Sequence, residues 1–434
     1  MEANLTARPD PIVAKLESTA FKSIFTNELY SLIDVFQKYK YELRVAGGAV
    51  RDILLDQCPK DIDFATTATP SEMKEMFTKE NIRLVNMNGE KHGTITPRIN
   101  DKENFEVTTL RIDLTTDGRH AEVLFTTDWQ LDANRRDLTI NSMFLGFDGT
   151  VYDYYYGLDD LKKRRIAFVG DPDKRIKEDY LRILRYFRFY GRIADTVDNH
   201  DAETLRVISK NINGLERISG ERIWSELKKI LQGKFGYELV LKLLDCGAGK
   251  FIGIPEKANI EEFQKVYSRT KFFDEPFQPL TLLSALLNKP EEAIHLNLRL
   301  KFSVFERELT YFIVQNRKEM ENIDEILLYK KLCFKVQGGG SVKVRKEYIL
   351  ELLKYYGKTS LYLELKQWEI PVFPIKGNQL KDFGCPAGPV CGVVMNRLRD
   401  IWSDSNFQLS NDELVSHLPE LFNELNIIDG KIVK

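Results

Sequence analysis

The sequence predicts an α+β protein: a mixed-sheet domain at the N-terminus, followed by an extended all-α region. Three observations carry this. Up to about residue 150, short apolar strand-like runs alternate with helical segments. From about Gly170 onwards helical periodicity dominates. At 434 residues the chain exceeds one typical domain, and its length suggests about two to four.

In chain order, Leu16, Phe21, Ile24, Phe25, Leu29, Leu32, Ile33 and Phe36 recur at helical spacing and predict one or two amphipathic helices. Leu43–Ala46 is expected as a strand, Gly47-Gly48 as a turn, Ala49–Leu55 as a helix and Ile62–Ala65 as the next strand. Thr69-Pro70-Ser71-Glu72 opens a helix, with Thr69 as N-cap, Pro at the first position and Glu at the third. Strands follow near 82–85, 93–98 and 105–110. Thr115–His120 reads as a polar loop, and Asp132–Ser142 as the beginning of a helix. Gln337–Ser341 reads as a linker between helical segments.

Composition sets the class. With 43% apolar and 29% charged residues the chain is ordinary globular protein. The net charge is -2, so any nucleic-acid site must be a local basic patch. The five Cys lack zinc-site spacing and the five His are scattered. No apolar run approaches a membrane span, and the first residues resemble neither a signal nor a transit peptide. An intracellular, reduced protein with no membrane role is expected.

The chemistry concentrates in Leu43–Ala65, LRVAGGAVRDILLDQCPKDIDFA. Gly47 and Gly48 let the backbone approach a ligand, and Arg51 adds a fixed cation one turn later. On a strand, Asp61 and Asp63 share one face while Ile62 buries on the other. Charges opening an apolar strand are costly unless paired or metal-bound. Glu106, on the strand near 105–110, could supply a third carboxylate. Such a set suits Mg²⁺, which takes a few carboxylates plus substrate phosphate oxygens.

A second concentration is KRIKEDYLRILRYFRFYGR, Lys174–Arg192. On one helical wheel Tyr180, Ile183, Leu184 and Phe187 form an apolar face. Glu178, Arg182, Arg185 and Arg188 form the polar one, with Asp179 at its border beside Arg182. A solvated face with i,i+4 pairs and a row reading phosphate and base edges both fit. Arg136, in Arg135-Arg136-Asp137, reads either as part of a capping salt bridge or as a cation for a triphosphate.

Together these stretches resemble the class II CCA-adding tRNA nucleotidyltransferases of the DNA polymerase beta superfamily, close to the animal-type members. The carriers are LRVAGGAVRDILL with KDIDFATTATP, DGRHAEV, RRDLTINSMF, KEDYLRILRYFRFYGRI and SGERIWSELKKIL. The resemblance spans nearly the whole chain. It implies a nucleotidyltransferase head at 1–150, a neck for base selection at 151–232, a helical body at 233–320 and a tRNA-binding tail at 321–434. It implies that Asp61 and Asp63 hold catalytic Mg²⁺, with Glu106 added on structural grounds. Gly47, Gly48, Arg51 and Arg136 would contact the incoming nucleotide. Asp179 and Arg182 would pair with the base edge of CTP or ATP, and Arg185 and Arg188 would complete that site. Asp117, Gly118 and Arg119 match a flexible loop linked to switching from C to A addition. The implied substrates are CTP, ATP and the tRNA 3′ end; residues 161–230, with seventeen Lys/Arg against eleven Asp/Glu, suit an RNA backbone.

Rival readings are a poly(A) polymerase of the same superfamily, a CC-only or A-only enzyme, and an RNA-binding protein with a decayed head. The first expects a basic pair followed by Phe after the first helix, which Leu84–Gly93 lacks. The intact Asp61/Asp63 pair disfavours the last.

Overall fold

Short apolar runs bounded by turn residues form the strands of the N-terminal region. In order these are β1 (Ile12–Lys15), β2 (Leu43–Ala46), β3 (Asp63–Thr66), β4 (Arg83–Val85), β5 (Thr94–Ile99), β6 (Glu103–Asn104), β7 (Glu106–Thr109), β8 (Arg111–Thr116), β9 (Ala121–Phe125), β10 (Phe144–Leu145) and β11 (Thr150–Tyr152). The computed structural model describes residues 7–116, 121–334, 340–385, 388–425, 427–428 and 431–432. Asp117, Gly118 and Arg119 lie outside the described residues. One sheet runs β1-β11-β10-β2-β3-β7-β5-β4, with β6 paired to β5. Strands β3 and β7 pair in parallel, with Asp63 opposite Glu106. Strands β8 and β9 form a separate antiparallel hairpin.

Among the described residues, ten α-helices join or follow these strands up to residue 231: α1 (Thr19–Lys22), α2 (Asn27–Lys38), α3 (Gly48–Leu54), α4 (Pro70–Lys79), α5 (Trp129–Arg135), α6 (Gly157–Lys162), α7 (Pro172–Glu178), α8 (Leu181–Ile193), α9 (Ala202–Asn211) and α10 (Gly220–Leu231). The amphipathic faces are the buried ones. Leu29, Leu32, Ile33 and Phe36 of α2 and Met73, Met76 and Phe77 of α4 are inside, and Phe36 meets Phe77 edge-to-face at 5.9 Å. Thr69 caps α4 in a full capping box with Glu72, as its spacing predicts.

Four local expectations are corrected. β3 begins at Asp63, so Asp61 lies in the bend before the strand and Ile62 is half-buried; Phe64 takes the inward position. Thr115 and Thr116 belong to β8, not to a loop. The helix expected to begin at Asp132 instead begins at Trp129, because Asp128 accepts from Gln130 N and Leu131 N at 2.8 and 3.3 Å. It ends at Arg135, and Arg136 is already extended. The helix drawn through Lys174–Arg192 is two helices. Asp179 is extended, with φ -153° and ψ 106°, and its Oδ1 accepts from Leu181 N at 3.1 Å. An aspartate offering the backbone this bond competes with helix continuation.

The chain divides into two compact units, 1–253 and 254–434. Within the second, long helices such as Val304–Asn316, Val342–Tyr356 and Pro389–Asp404 dominate. Glu351 and Lys354 form a buried ion pair at 2.9 Å, completed by Gln278 N and Pro276 O. A cluster around Trp402, Leu398 and Leu414 forms a core in its C-terminal part. Among the described residues no helix is long and apolar enough to cross a membrane.

Thr69→Ala removes the α4 cap and is expected to cost about 1 kcal/mol, a Tm drop of about 2–4 °C. Differential scanning fluorimetry measures it; α4 does not line the cleft described next.

Candidate functional site

The first unit contains a cleft of about 1410 Å³. Its walls bring together most of the residues singled out in the sequence: Gly47, Gly48, Arg51, Asp61, Asp63, Glu106, Arg136, Asp179, Arg182, Arg185 and Arg188. Of the predicted set, Asp117, Gly118 and Arg119 fall outside the described residues. Twelve Lys/Arg line the cleft against seven Asp/Glu, so the basic patch that the whole-chain charge conceals is present locally.

One wall is built on the sheet. Gly47 leaves β2 with φ +66°, a conformation other residues adopt at a cost. A Cβ there would lie 3.0 Å from Arg136 Nη1, so the absence of a side chain is also what lets that guanidinium approach. Strand β3 presents Asp63 toward the cleft, and parallel pairing fixes Glu106 beside it. Burial raises the Asp63 carboxyl above its ordinary range; Glu106 and Asp61 add to this, and Arg136 opposes it. Crowded carboxylates of this kind fit a hard divalent cation. Among the described residues no three His, Cys, Asp or Glu side chains converge as a complete metal cage.

The other wall is α8. Ile183, Leu184 and Phe187 face the interior as the wheel predicts, which leaves Arg182, Arg185 and Arg188 toward the cleft. These arginines are not loose. Arg182 bonds Glu178 and donates to Arg175 O at 2.9 Å and Arg135 O at 3.1 Å. Arg185 Nε meets Asp137 Oδ2 at 2.6 Å. Arg188 Nη1 meets Glu226 Oε1 at 2.9 Å. Arg136 is held by Asp132 at 3.0 Å and by Asn141 O at 3.2 Å. Arg51, 3% exposed, is clasped by Asp52 at 2.8 Å and Asn141 Oδ1 at 2.6 Å. Burial lowers the Arg51 pKa against the pull of Asp52, yet an arginine stays charged. Asp52 also receives Arg192 Nη2 at 2.8 Å.

Sequence reasoning placed Asp179 next to Arg182; the structure pairs it with Arg222, whose Nη2 meets Asp179 Oδ2 at 2.7 Å. Arg222 belongs to SGERIWSELKKIL, a stretch whose residue types alone do not specify this contact. Phe189 was missed as well. It lies under three guanidiniums, with Arg188, Arg51 and Arg185 at 4.3, 5.0 and 5.5 Å from its ring centre. Nothing in an apolar helical periodicity separates such a residue from core.

Burial alone would push the Asp137 carboxyl up; the Arg185 guanidinium outweighs it and holds it below the ordinary range. Stability from this group is therefore present above the ordinary aspartate pKa of about 3.9 and is lost as pH falls through the lower folded value. Asp137→Asn is expected to destabilise the first unit by about 2 kcal/mol or more at pH 7. In thermal melts the deficit relative to the parent should narrow below about pH 4.

Residues 43–167 match the family model described as the poly A polymerase head domain, and residues 200–257 match one described as a probable RNA and SrmB- binding site of polymerase A. The chain is 50% identical over 408 residues to the mitochondrial CCA tRNA nucleotidyltransferase 1 of Mus musculus, covering 93% of this chain and 92% of that one. Against the protein of the same name from Danio rerio it is 48% identical over 410 residues, covering 94% of each. Among solved structures, the CCA-adding enzyme of Bacillus stearothermophilus in complex with CTP superposes with a TM-score of 0.73 at 22% identity, covering 94% of this chain and 99% of that one. At that identity the likeness is one of fold.

Proposed function

The chain belongs to the CCA-adding tRNA nucleotidyltransferases, and on that premise we propose that it adds C, C and A to the 3′ end of tRNA from CTP and ATP, without a nucleic-acid template. The observation that carries the reading is the meeting, in one cleft, of the Asp61/Asp63/Glu106 carboxylates with Asp179 and the arginines of α8. One wall suits phosphoryl transfer and the other suits recognition of a nucleotide.

In the reaction the tRNA 3′-hydroxyl oxygen bonds to the α-phosphorus, and the bond from that phosphorus to the pyrophosphate oxygen breaks. Pyrophosphate leaves, and the hydroxyl proton passes to water. Asp61 and Asp63, with Glu106 alongside, would hold Mg²⁺, whose charge favours the ionised hydroxyl and steadies the departing pyrophosphate. The chain's own task is orientation and charge placement. Gly47 and Gly48 leave room for the triphosphate beside Arg136 and Arg51. Arg185 and Arg188 extend that cationic wall along α8.

Base choice falls to Asp179 and Arg182. A carboxylate accepts from the exocyclic amino group that cytosine and adenine both carry, and a guanidinium donates to the neighbouring ring nitrogen. A base presenting the opposite pattern leaves these groups unpaired and is rejected. We assign the loop Asp117–Arg119 to the change from C to A addition, as the family resemblance implies. The boundaries near 150, 232 and 320 remain our division into head, neck, body and tail. The named relatives carry the word mitochondrial; we propose action on intracellular tRNA, in mitochondria, cytoplasm or both.

The test is incubation with a tRNA lacking CCA, Mg²⁺ and labelled CTP and ATP. Addition of three nucleotides is expected; long A tails or no label would overturn the reading. Asp61→Ala should lower incorporation more than about a hundredfold while tRNA retention in a filter-binding assay holds. Asp179→Ala should instead blur the choice among nucleotides by about tenfold or more, read as the ratio of correct to incorrect single additions.

A further inference from the structure

We infer that the paired hydroxyls of Thr94 and Thr108 seat the terminal ribose of the acceptor RNA and read its 2′-hydroxyl; the inference rests on the function proposed above. Both threonines line the cleft, apart from the carboxylates and arginines assigned there. Strand pairing places them. Thr108 follows Glu106 by two residues on β7, so both side chains lie on one face of the sheet. Thr94 on β5 stands opposite Thr108 in the antiparallel pair, and the two Oγ1 atoms are 2.9 Å apart. Their strand neighbours Ile95 and Val107, with Phe64 on β3, are buried on the other face. The turn at 87–92 packs directly onto Thr94: a Cβ at Gly89 would lie 2.9 Å from Thr94 Cβ.

Across the sheet the order is β2, β3, β7, β5. The Gly47-Gly48 turn leaves β2, Asp63 and Glu106 stand on β3 and β7, and the hydroxyl pair stands on β7 and β5. In phosphoryl transfer the attacking and leaving oxygens lie roughly in line through the phosphorus. With the triphosphate over Gly47 and Gly48 and the reacting phosphorus at the carboxylates, the attacking 3′-hydroxyl approaches from the β7–β5 side. The ribose that bears it then rests on Thr94 and Thr108, with its 2′-hydroxyl next to the reacting oxygen. One threonine hydroxyl donates to the other, so the pair keeps one proton and free lone pairs. A 2′-hydroxyl complements this: it accepts from the proton and donates to a lone pair. A 2′-deoxyribose leaves both unanswered, and the 2′-hydroxyl is the group by which a protein tells RNA from DNA.

The experiment measures kcat/KM for addition of one C from CTP to tRNA lacking CCA, whose last nucleotide carries ribose or 2′-deoxyribose with the 3′-hydroxyl intact. The proteins are the parent, Thr108→Val, Thr108→Ser and the Thr94→Val/Thr108→Val pair, with thermal melts run beside them. Valine keeps the branched shape that strands favour while removing the hydroxyl. The parent is expected to use the ribose end about tenfold better than the deoxyribose end. The double valine variant should lose about tenfold on the ribose end and change little on the deoxyribose end, so that the two ends become equal. Thr108→Ser restores a hydroxyl and should keep the preference. If the double variant does not fold, Thr108→Val alone carries the test and should lose part of the preference. Equal use of both ends by the parent, or valine variants that lower both ends alike, would overturn the inference. A parent that adds nothing to the ribose end would overturn the underlying function. A parent that completes CCA there, but keeps its preference when both threonines are valine, would overturn the threonine role alone.

Discussion

Cations crowded into one cleft are the constraint on which the first unit depends. Two like charges 4 Å apart repel by about 4 kcal/mol at an effective dielectric constant of 20. Nine of the cleft-lining side chains are arginines, which cannot shed their charge. They can be concentrated there because carboxylates are interleaved among them. Asp52 receives Arg51 on one oxygen and Arg192 on the other. Asp132 receives both Arg135 and Arg136. Asp137 receives Arg185, and Glu226 receives Arg188. Several of these bonds also cross between elements. Asp52 on α3 and Asp137 beyond α5 both reach α8, so the lattice that relieves repulsion is also what seats α8 against the sheet domain.

How far this was legible in the sequence follows from the range of each interaction. Strand β2, the Gly47-Gly48 turn, α3 and the α4 capping box are decided within a few residues, and all were readable. The place of Asp61 and Asp63 beside the Gly-Gly turn on the cleft wall was readable too, although strand alternation was the wrong reason for Asp61, which precedes β3. The buried face of α8 was readable because one period of 3.6 governs it. The break at Asp179 was not: a wheel assumes continuity, and here a side-chain bond to Leu181 N competes with the helical backbone. Arg222 with Asp179, and Arg185 with Asp137, join residues 43 and 48 positions apart. No local period encodes such pairs, and the residue types alone allow many partners.

The two walls of the cleft place their side chains by different means. Asp63 and Glu106 occupy opposite positions of a parallel strand pair, so backbone hydrogen bonding sets their spacing. Moving one relative to the other means slipping a strand, which would also turn Phe64 out of the core. That suits carboxylates whose spacing must not vary between one addition and the next. Asp179 occupies a break between helices, located by two bonds from Leu181 and Arg222. Such a residue can adjust without disturbing the sheet. The proposed function, one chemical step performed three times with a choice between two bases, is consistent with this division. On the proposed function, the carboxylates assigned to holding Mg²⁺ keep their spacing on the sheet, and the residue assigned to base choice is located by two hydrogen bonds in a break between helices.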